Sequence, residues 1–165
     1  MATLHALHGL PGSGKTLLAR RLAIGLPAVR FSPDEWMIAL HGTQPSLEIF
    51  RREHAKIMML IWEHASRVLS AGTDVVLDAG FWTRASRDDA RERASTLNVK
   101  LKFYALVCPA QVARERVLRR TGQKAGDSLV IDGAAFDSFC AEFEPILPEE
   151  RPLVVADPSA NIAGT

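Results

Sequence analysis

The segment at residues 9–16 constrains this chain more than any other, because it reads Gly-Leu-Pro-Gly-Ser-Gly-Lys-Thr. It satisfies the pattern G-x-x-x-x-G-K-[ST], whose glycines let backbone N–H groups curl around phosphate oxygens. A short apolar run at residues 4–7 precedes it, and apolar residues at helical spacing follow it as far as Gly25. Strand, glycine loop and helix therefore occur in the order that a phosphate-binding loop requires.

The rest of the chain alternates short apolar runs with helical patterns. Strands are predicted at residues 28–31, 73–78, 99–107 and 153–156, and helices from residue 33, within 45–72, over about 83–97 and after residue 109. This alternation is typical of an α/β fold with a parallel sheet covered on both faces. We expect a single domain spanning residues 1–165, with a lid near residues 121–131.

The bulk composition argues against several classes of protein. The net charge of +1 does not favour a general nucleic-acid surface. Cys108 and Cys140 are far apart and lack CxxC spacing, so neither a disulfide framework nor a zinc site is expected. The sequence has no apolar stretch long enough for a membrane span and no basic amino-terminal segment. We therefore expect no membrane association and a cytoplasmic location.

Two side chains of the loop have specific predicted roles. Lys15 reaches the β- and γ-phosphates of a nucleotide, and the Thr16 hydroxyl is a ligand of Mg²⁺. The helix that begins near Lys15 directs the positive end of its dipole to the same place. The sequence thus predicts ATP and Mg²⁺ as cofactors. The predicted nucleotide-binding residues here are Gly9, Leu10, Pro11, Gly12, Ser13, Gly14, Lys15, Thr16 and Leu17.

Four further segments extend a resemblance beyond the loop. They are Ser-Pro-Asp-Glu at 32–35, Val-Val-Leu-Asp at 75–78, Ala-Arg-Glu-Arg-Val-Leu-Arg-Arg at 113–120 and Phe-Glu-Pro at 143–145. Together with the loop they resemble the P-loop kinase-like ATP-binding proteins of the AAA_33 type, whose relatives include chloramphenicol phosphotransferase and the zeta toxins. The resemblance covers most of the chain. It implies a three-layer P-loop kinase fold with a five-stranded sheet in the order 2-3-1-4-5, and an acceptor site opposite the phosphates.

Asp34 follows the predicted second strand, where the kinases that this chain resembles carry an aspartate near the acceptor hydroxyl. The resemblance implies that Asp34 is the general base of phosphoryl transfer, with Glu35 as a less favoured substitute. A structural alternative stays open. Acidic residues suit the first turn of a helix, and Ser32 with Glu35 matches a capping box.

Asp78 ends an apolar run. This position suits a Walker-B-like carboxylate, which lies beside the phosphate loop. Asp78 is a candidate ligand of Mg²⁺ together with Thr16, and equally a candidate ligand of the acceptor. The alternative is that a carboxylate ends the strand only because the chain leaves the core there. Phe81 and Trp82 follow it at a carboxyl strand end, which is the usual ligand face of an open α/β sheet. They are candidates to line the acceptor pocket, and the alternative is that they pack in the core.

Several arginines are candidate anion ligands. Arg84 and Arg87 follow the same strand, and we assign them to the acceptor site. In the kinases that the chain resembles, arginines at the place of Arg116 and Arg120 contact ATP and stabilise the transition state. Their helix could equally be a solvated one. The resemblance also places Asp157 beside the adenine, by position alone.

These predictions combine into a function. The chain is expected to transfer the γ-phosphoryl group of ATP to a hydroxyl of a small-molecule acceptor, with Lys15, Asp34, Arg116 and Arg120 as catalytic residues. Two alternatives remain: a nucleotide-dependent switch or ATPase without a small acceptor, and a polynucleotide-end kinase. The near-neutral net charge disfavours nucleic acid as a partner.

Overall fold

Five strands pair side by side in one parallel sheet of the computed structural model, which describes residues 1–122, 128–156 and 158. They are β1 (Thr3–His8), β2 (Ala28–Phe31), β3 (Asp74–Leu77), β4 (Lys100–Leu106) and β5 (Leu153–Val155). Their order across the sheet is β2-β3-β1-β4-β5, as predicted. Because all neighbours run parallel, the carboxyl ends of the strands meet at one edge.

Six helices connect the strands within the described ranges. They are α1 (Lys15–Gly25), α2 (Pro33–His41), α3 (Leu47–Ser70), α4 (Arg84–Thr96), α5 (Ala110–Gly122) and α6 (Gly133–Glu142), with a short 3₁₀ turn at Pro148–Glu150 before β5. None of the helices in the described part of the chain is long and apolar enough to cross a membrane.

Two apolar layers cover the sheet. Successive side chains of a strand point to opposite faces, so Leu4 and Ala6 of β1 join one layer while Leu7 joins the other. Helix α1 packs against Leu7, and the other five helices contribute to the layer on Leu4. The fold therefore has three layers, with the sheet in the middle, as the sequence predicted.

The helix starts are not alike. Helices α2, α3, α4 and α6 each begin with a side chain that accepts a hydrogen bond from a first-turn amide; these caps are Ser32, Ser46, Thr83 and Asp132. Helix α1 has Gly14 as its N-cap residue, with no side-chain cap and no acidic residue in its first turn among the described residues. Its first amides are therefore available to an anion.

The capping box that Ser32 and Glu35 were expected to form is incomplete. The Ser32 hydroxyl does accept a hydrogen bond from the Glu35 amide, at 3.4 Å. The Glu35 carboxylate turns away and pairs with the Arg30 guanidinium, and it lies 3.7 Å from Arg20. An ion pair with two arginines thus replaces the reciprocal half of the box.

A buried ion pair fastens the chain after α6 onto α4. Arg87 is 1% exposed and donates from Nε and Nη2 to the Glu150 carboxylate, at 2.8 and 3.0 Å. Its Nη1 donates to the carbonyls of Phe81, Trp82 and Glu144. Burial opposes ionisation of Glu150, but hydrogen bonds from the arginines and a backbone amide outweigh it and lower the pKa to about 2.

Candidate active site

The glycine loop lies between the central strand β1 and α1. Gly12 and Gly14 have φ angles of 82° and 98°, which side-chain-bearing residues rarely adopt. Gly12 also abuts α5, since a Cβ built there would overlap the Ala113 carbonyl. The Ser13 amide donates to the Leu10 carbonyl at 3.1 Å, which closes the turn. The loop therefore presents its backbone and the open start of α1 to one cavity.

Lys15 arches back over the loop. Its Nζ donates to the Leu10 carbonyl at 2.8 Å. Burial lowers the pKa of the Lys15 ammonium to about 8, with Asp34 and Asp78 opposing this and Arg120 adding to it. A positive charge thus lies where the loop amides and both carboxylates can act on the same ligand.

Asp34 lies in the first turn of α2 and faces the same cavity. Protein atoms around the cavity desolvate the carboxyl and raise its pKa, while the charges of Lys15 and Arg120 oppose this shift. Solvent within the cavity still reaches the side chain. An aspartate with a raised pKa beside two cations is suited to accepting a proton.

Asp78 follows β3 and lies beside Thr16. The Thr16 hydroxyl donates to Asp78 Oδ1 at 3.3 Å, while Arg30 Nη1 donates to Oδ2 at 2.7 Å. Burial raises the pKa of Asp78, and Arg30 opposes this. Mg²⁺ prefers oxygen ligands and needs few from the protein when phosphates supply others. The hydroxyl and carboxylate of Thr16 and Asp78 fit such a site.

Arg30 was missed by sequence reasoning. It lies on β2, is half-buried, and joins the carboxylates of Asp78 and Glu35. The available signal was a cation inside an otherwise apolar strand, next to a strand that ends in a carboxylate. Because β2 pairs with β3, a charged side chain there needs a partner at the sheet edge.

The cavity has a volume of about 800 Å³. Its lining comes from the loop, α2, the start of α3, α5, residues 129–132 and α6. The predicted site residues that line it are Pro11, Gly12, Gly14, Lys15, Thr16, Leu17, Asp34, Asp78, Arg116 and Arg120. The structure thus brings the predicted base, metal ligands and loop together.

Three predicted acceptor residues lie elsewhere. Phe81 is buried in the core against Trp62 and Phe103, and Arg84 is exposed on α4 and donates to Asp88. The guanidinium of Arg87 donates its hydrogen bonds to Glu150 and to backbone carbonyl groups. None of the three lines this cavity, so we remove them from the acceptor site. Residue 157 and residues 123–127 of the predicted lid lie outside the described residues.

Trp82 contacts both the glycine loop and α6. Its indole Nε1 donates to the Gly9 carbonyl at 3.0 Å, and its ring lies 5.0 Å from that of Phe139 on α6. Gly80 is required beneath it, because a Cβ at that position would overlap the indole. The two neighbouring aromatic residues therefore lie in different places: Phe81 packs in the core, and Trp82 lines the cavity.

A second cavity of about 780 Å³ lies between α3 and α4. It shares a wall with the first one, formed by Phe50, His54, Gly80, Trp82 and Phe139. Its remaining apolar walls include Met58, Met59, Trp62 and Phe81.

A phosphate loop after the central strand, an uncapped helix start and a carboxylate beside the loop threonine, within a sheet of order 2-3-1-4-5, define a P-loop protein with the kinase fold. The chain belongs to the AAA_33 family (AAA domain), whose model matches residues 4–146. The sequence matches none of the curated proteins with which it was compared.

Solved structures share this fold at low sequence identity. A proposed kinase from Chloroflexus aurantiacus is 24% identical with a TM-score of 0.74, over 93% of this chain and 87% of the other. Kti12 from Chaetomium thermophilum, in complex with ADP-AlF3, is 19% identical with a TM-score of 0.70, over 93% and 88%. A gluconokinase from Sinorhizobium meliloti is 21% identical with a TM-score of 0.64, over 98% and 85%.

Proposed function

We propose that this protein is an ATP- and Mg²⁺-dependent kinase that phosphorylates a hydroxyl of a small-molecule acceptor. The observation that carries the proposal is the convergence of Lys15, Asp34 and Arg120 on one cavity, beside the uncapped start of α1. A kinase needs a phosphate cradle, a proton acceptor and cations at one place. The kinase fold and the small-molecule kinases among the structural neighbours support this proposal.

The nucleotide would be held from the loop side. Loop amides and the open start of α1 bind phosphate oxygens, and the Lys15 ammonium binds the β- and γ-phosphates. Thr16 and Asp78 would hold Mg²⁺, which supplies charge neutralisation on the phosphates. Arg30 keeps the second oxygen of Asp78 occupied, so that the first one faces Thr16.

Asp34 acts as the base. Its carboxylate accepts the proton of the acceptor hydroxyl while the hydroxyl oxygen attacks the γ-phosphorus, the bond from that phosphorus to the β,γ-bridging oxygen breaks, and ADP leaves. The raised pKa makes Asp34 a better proton acceptor than an ordinary aspartate. General-base catalysis of this kind contributes about 10²- to 10⁴-fold. Glu35 is held by Arg30 and is therefore not available for this role.

Arginines of α5 complete the site. Arg120 Nε is buried and has no hydrogen-bond partner among the described residues, so the guanidinium retains donors for a phosphate. Arg116 donates to the Cys108 thiol at 3.8 Å, a weak bond that a phosphate oxygen can replace. Both side chains line the cavity.

The test is transfer of labelled γ-phosphate from ATP to a panel of hydroxylated antibiotics, sugars, nucleosides and oligonucleotide ends. Asp34→Asn should lose roughly 10²- to 10⁴-fold in transfer and keep ATP affinity. Glu35→Gln is the matched control, because it removes a neighbouring carboxylate that pairs with Arg30 and does not line the cavity. If Glu35→Gln were the inactive variant, the assignment of the base would be wrong.

The panel also separates the two alternative functions. Loss of ATP without any labelled product would support a nucleotide-dependent switch. Labelled oligonucleotide ends, formed with a steep dependence on salt, would support a polynucleotide-end kinase. Either result would contradict a small-molecule acceptor.

A further inference from the structure

His54 is a half-buried histidine on α3 whose side chain lines the candidate active-site cavity. The centroid of its ring lies 5.4 Å from that of Phe50, which is one turn earlier on the same helix. Phe50 in turn lies 5.7 Å from Phe139 on α6, and Phe139 lies 5.0 Å from Trp82, again between ring centroids. The imidazole is therefore packed at the end of a row of aromatic rings, which restricts its orientation.

The ring nitrogens of His54 form no hydrogen bond with any residue that the structure describes. The buried histidines of β1 differ in this respect. His5 Nδ1 bonds to the Tyr104 hydroxyl and His8 Nδ1 bonds to the Phe81 carbonyl, both at 3.0 Å. Neither nitrogen of His54 is among the buried polar atoms that are sealed from solvent without a partner. Both are therefore open to solvent, in a side chain that lines a cavity.

This ring offers one hydrogen-bond donor and one acceptor. Burial lowers the pKa of His54 below its ordinary value of 6.5, so the neutral imidazole predominates at neutral pH. A neutral imidazole carries a proton on one nitrogen and a lone pair on the other. Because no group among the described residues fixes the tautomer, the ring can serve a ligand in either sense.

Other polar side chains of the cavity are already in use. Ser46 and Asp132 line it, but their oxygens cap helices and accept hydrogen bonds from the amides of Ile49 at 3.3 Å and Ala135 at 2.8 Å. The hydrogen-bonding capacity of His54 is unused. A ligand that covered this ring with an apolar group would leave its nitrogens without water or partner, which is unfavourable. A ligand with a matching polar group is therefore preferred to its analogue without one.

We propose that His54 determines acceptor specificity: a ring nitrogen hydrogen-bonds a second polar group of the acceptor while the reacting hydroxyl lies at Asp34. This inference rests on the proposed kinase function and specifies the substrate class as an alcohol with at least two polar groups. His54 and Asp34 line the same cavity from different helices, α3 and α2. Two contacts from two elements fix the orientation of the acceptor as well as its affinity.

The test compares 2-phenylethanol with its three phenolic derivatives, which carry an added hydroxyl at the ortho, meta or para position. Each compound is titrated by calorimetry into the full chain saturated with ADP and Mg²⁺. We expect at least one derivative to bind at least about tenfold more tightly than the parent compound. This preference should disappear in His54→Phe and persist in part in His54→Gln, because the glutamine amide also donates and accepts.

His64→Phe is the matched control, because His64 is an exposed histidine of the same helix and lines neither cavity. It should keep the preference of the wild type. Long-range ¹H–¹⁵N spectra give a direct reading of the contact. The preferred derivative should shift the ring nitrogens of His54 and leave those of His64 unchanged, which a purely structural role of His54 would not produce.

His54 also lines the second cavity, so the location of the ligand needs its own test. Ala134 is exposed and lines the first cavity but not the second, whereas Met59 is 66% exposed and lines the second but not the first. Ala134→Trp should weaken binding of the preferred derivative at least about tenfold, and Met59→Trp should change it by less than about twofold. The reverse pattern would place the ligand outside the acceptor site and overturn the proposal.

The remaining outcomes separate this inference from the proposed function. Equal affinities of all four compounds, no binding of any of them while ADP binds normally, or a preference that survives in His54→Phe would also overturn it. Absence of ADP binding would instead contradict the nucleotide site. Binding through His54 without phosphoryl transfer to any alcohol would leave the ligand contact standing and reject the kinase reaction. Where transfer occurs, His54→Phe should raise the KM of the acceptor about tenfold with little change in kcat, whereas Asp34→Asn should lower kcat.

Discussion

Arg30 Nη1 donates to Asp78 Oδ2 at 2.7 Å, across the two strands at the edge of the sheet next to the phosphate loop. The other carboxylate oxygen of Asp78 accepts from the Thr16 hydroxyl. Because burial raises the pKa of Asp78 and Arg30 opposes that shift, the arginine keeps the carboxylate charged as well as oriented. The proposed Mg²⁺ ligand is therefore held by a residue on a neighbouring strand.

We expect Arg30→Met to increase the Mg²⁺ concentration required for half-maximal nucleotide turnover by roughly tenfold, since a second-layer partner of a metal ligand typically contributes 10- to 100-fold. The increase should grow as the pH is lowered, because the pKa of Asp78 rises further without its cation. Metal titrations of turnover at two pH values provide the measurement.

The control for that variant is Arg20→Met. Both Arg20 and Arg30 pair with Glu35, and the distance from Arg20 to the Glu35 carboxylate is 3.7 Å. The Arg20 side chain is half-exposed. The Arg20→Met variant therefore removes a cation near Glu35 and leaves the bond between Arg30 and Asp78, the proposed metal ligand, in place. Equal Mg²⁺ dependence in the two variants would show that Arg30 acts through general charge and not through Asp78.

The affinity for ATP should fall as the pH rises through about 8. The pKa of Lys15 is lowered to about 8, so the ammonium is present below that pH and lost above it. If only the charged form binds well, the affinity falls by about tenfold between about pH 7 and pH 9. Calorimetry over this range measures the effect. Lys15→Met should bind ATP weakly with a flat profile, and a flat wild-type profile would contradict the assignment.

Loss of the buried guanidinium should destabilise the fold without altering the chemistry of the site. Arg87→Met leaves Glu150 with fewer partners, and breaking a buried pair costs about 3 kcal/mol or more. Arg84→Met should lower the free energy of unfolding much less, because the Arg84 side chain is exposed and its ion pair with Asp88 is screened by solvent. Urea unfolding compares the two. The double variant Arg87→Met/Glu150→Gln should recover part of the loss.

The same ion pair predicts an acid sensitivity. The pKa of Glu150 is lowered to about 2 from 4.5, so its ionisation contributes stability that is fully present above 4.5 and lost as the pH falls towards 2. We expect Glu150→Gln to remove up to about 3 kcal/mol of the pH-dependent unfolding free energy. An unchanged slope of unfolding free energy against pH, between about 5 and 2, would contradict this role.

Gly12→Ala should damage both stability and nucleotide binding. Its φ of 82° is unfavourable for alanine, and the added methyl group would overlap the Ala113 carbonyl, so α5 and its arginines must shift. Gly72→Ala is the matched control, because Gly72 has a φ of 86° but open space around it. It should cost roughly 1 kcal/mol and leave the ATP affinity unchanged. Equal ATP affinities of the two variants would show that the contact with α5 is dispensable.

The fold and much of the site could be predicted from the sequence, because both follow from the order of the strands along the chain and from the residues that come directly after them. Lys15, Asp34 and Asp78 follow three different strands of a parallel sheet, so their convergence is a consequence of topology. The structure does not place Arg87 in the cavity, and spacing along α4 could not reveal this, because its partner Glu150 lies eight residues beyond the end of α6. Arg30 was missed because its partners become neighbours only when the sheet forms.

Trp82 contacts both the glycine loop and α6, since its indole N–H donates to the Gly9 carbonyl and its ring lies against Phe139. Indole emission changes with hydrogen bonding and with the groups around the ring. The chain has three tryptophans, and replacing Trp36 and Trp62 with phenylalanine would leave Trp82 as the single long-wavelength chromophore. Trp82 is therefore an intrinsic fluorescent reporter that contacts the phosphate loop and lines the cavity. Stopped-flow fluorescence of that double variant can time the binding of the nucleotide and of the acceptor in separate experiments.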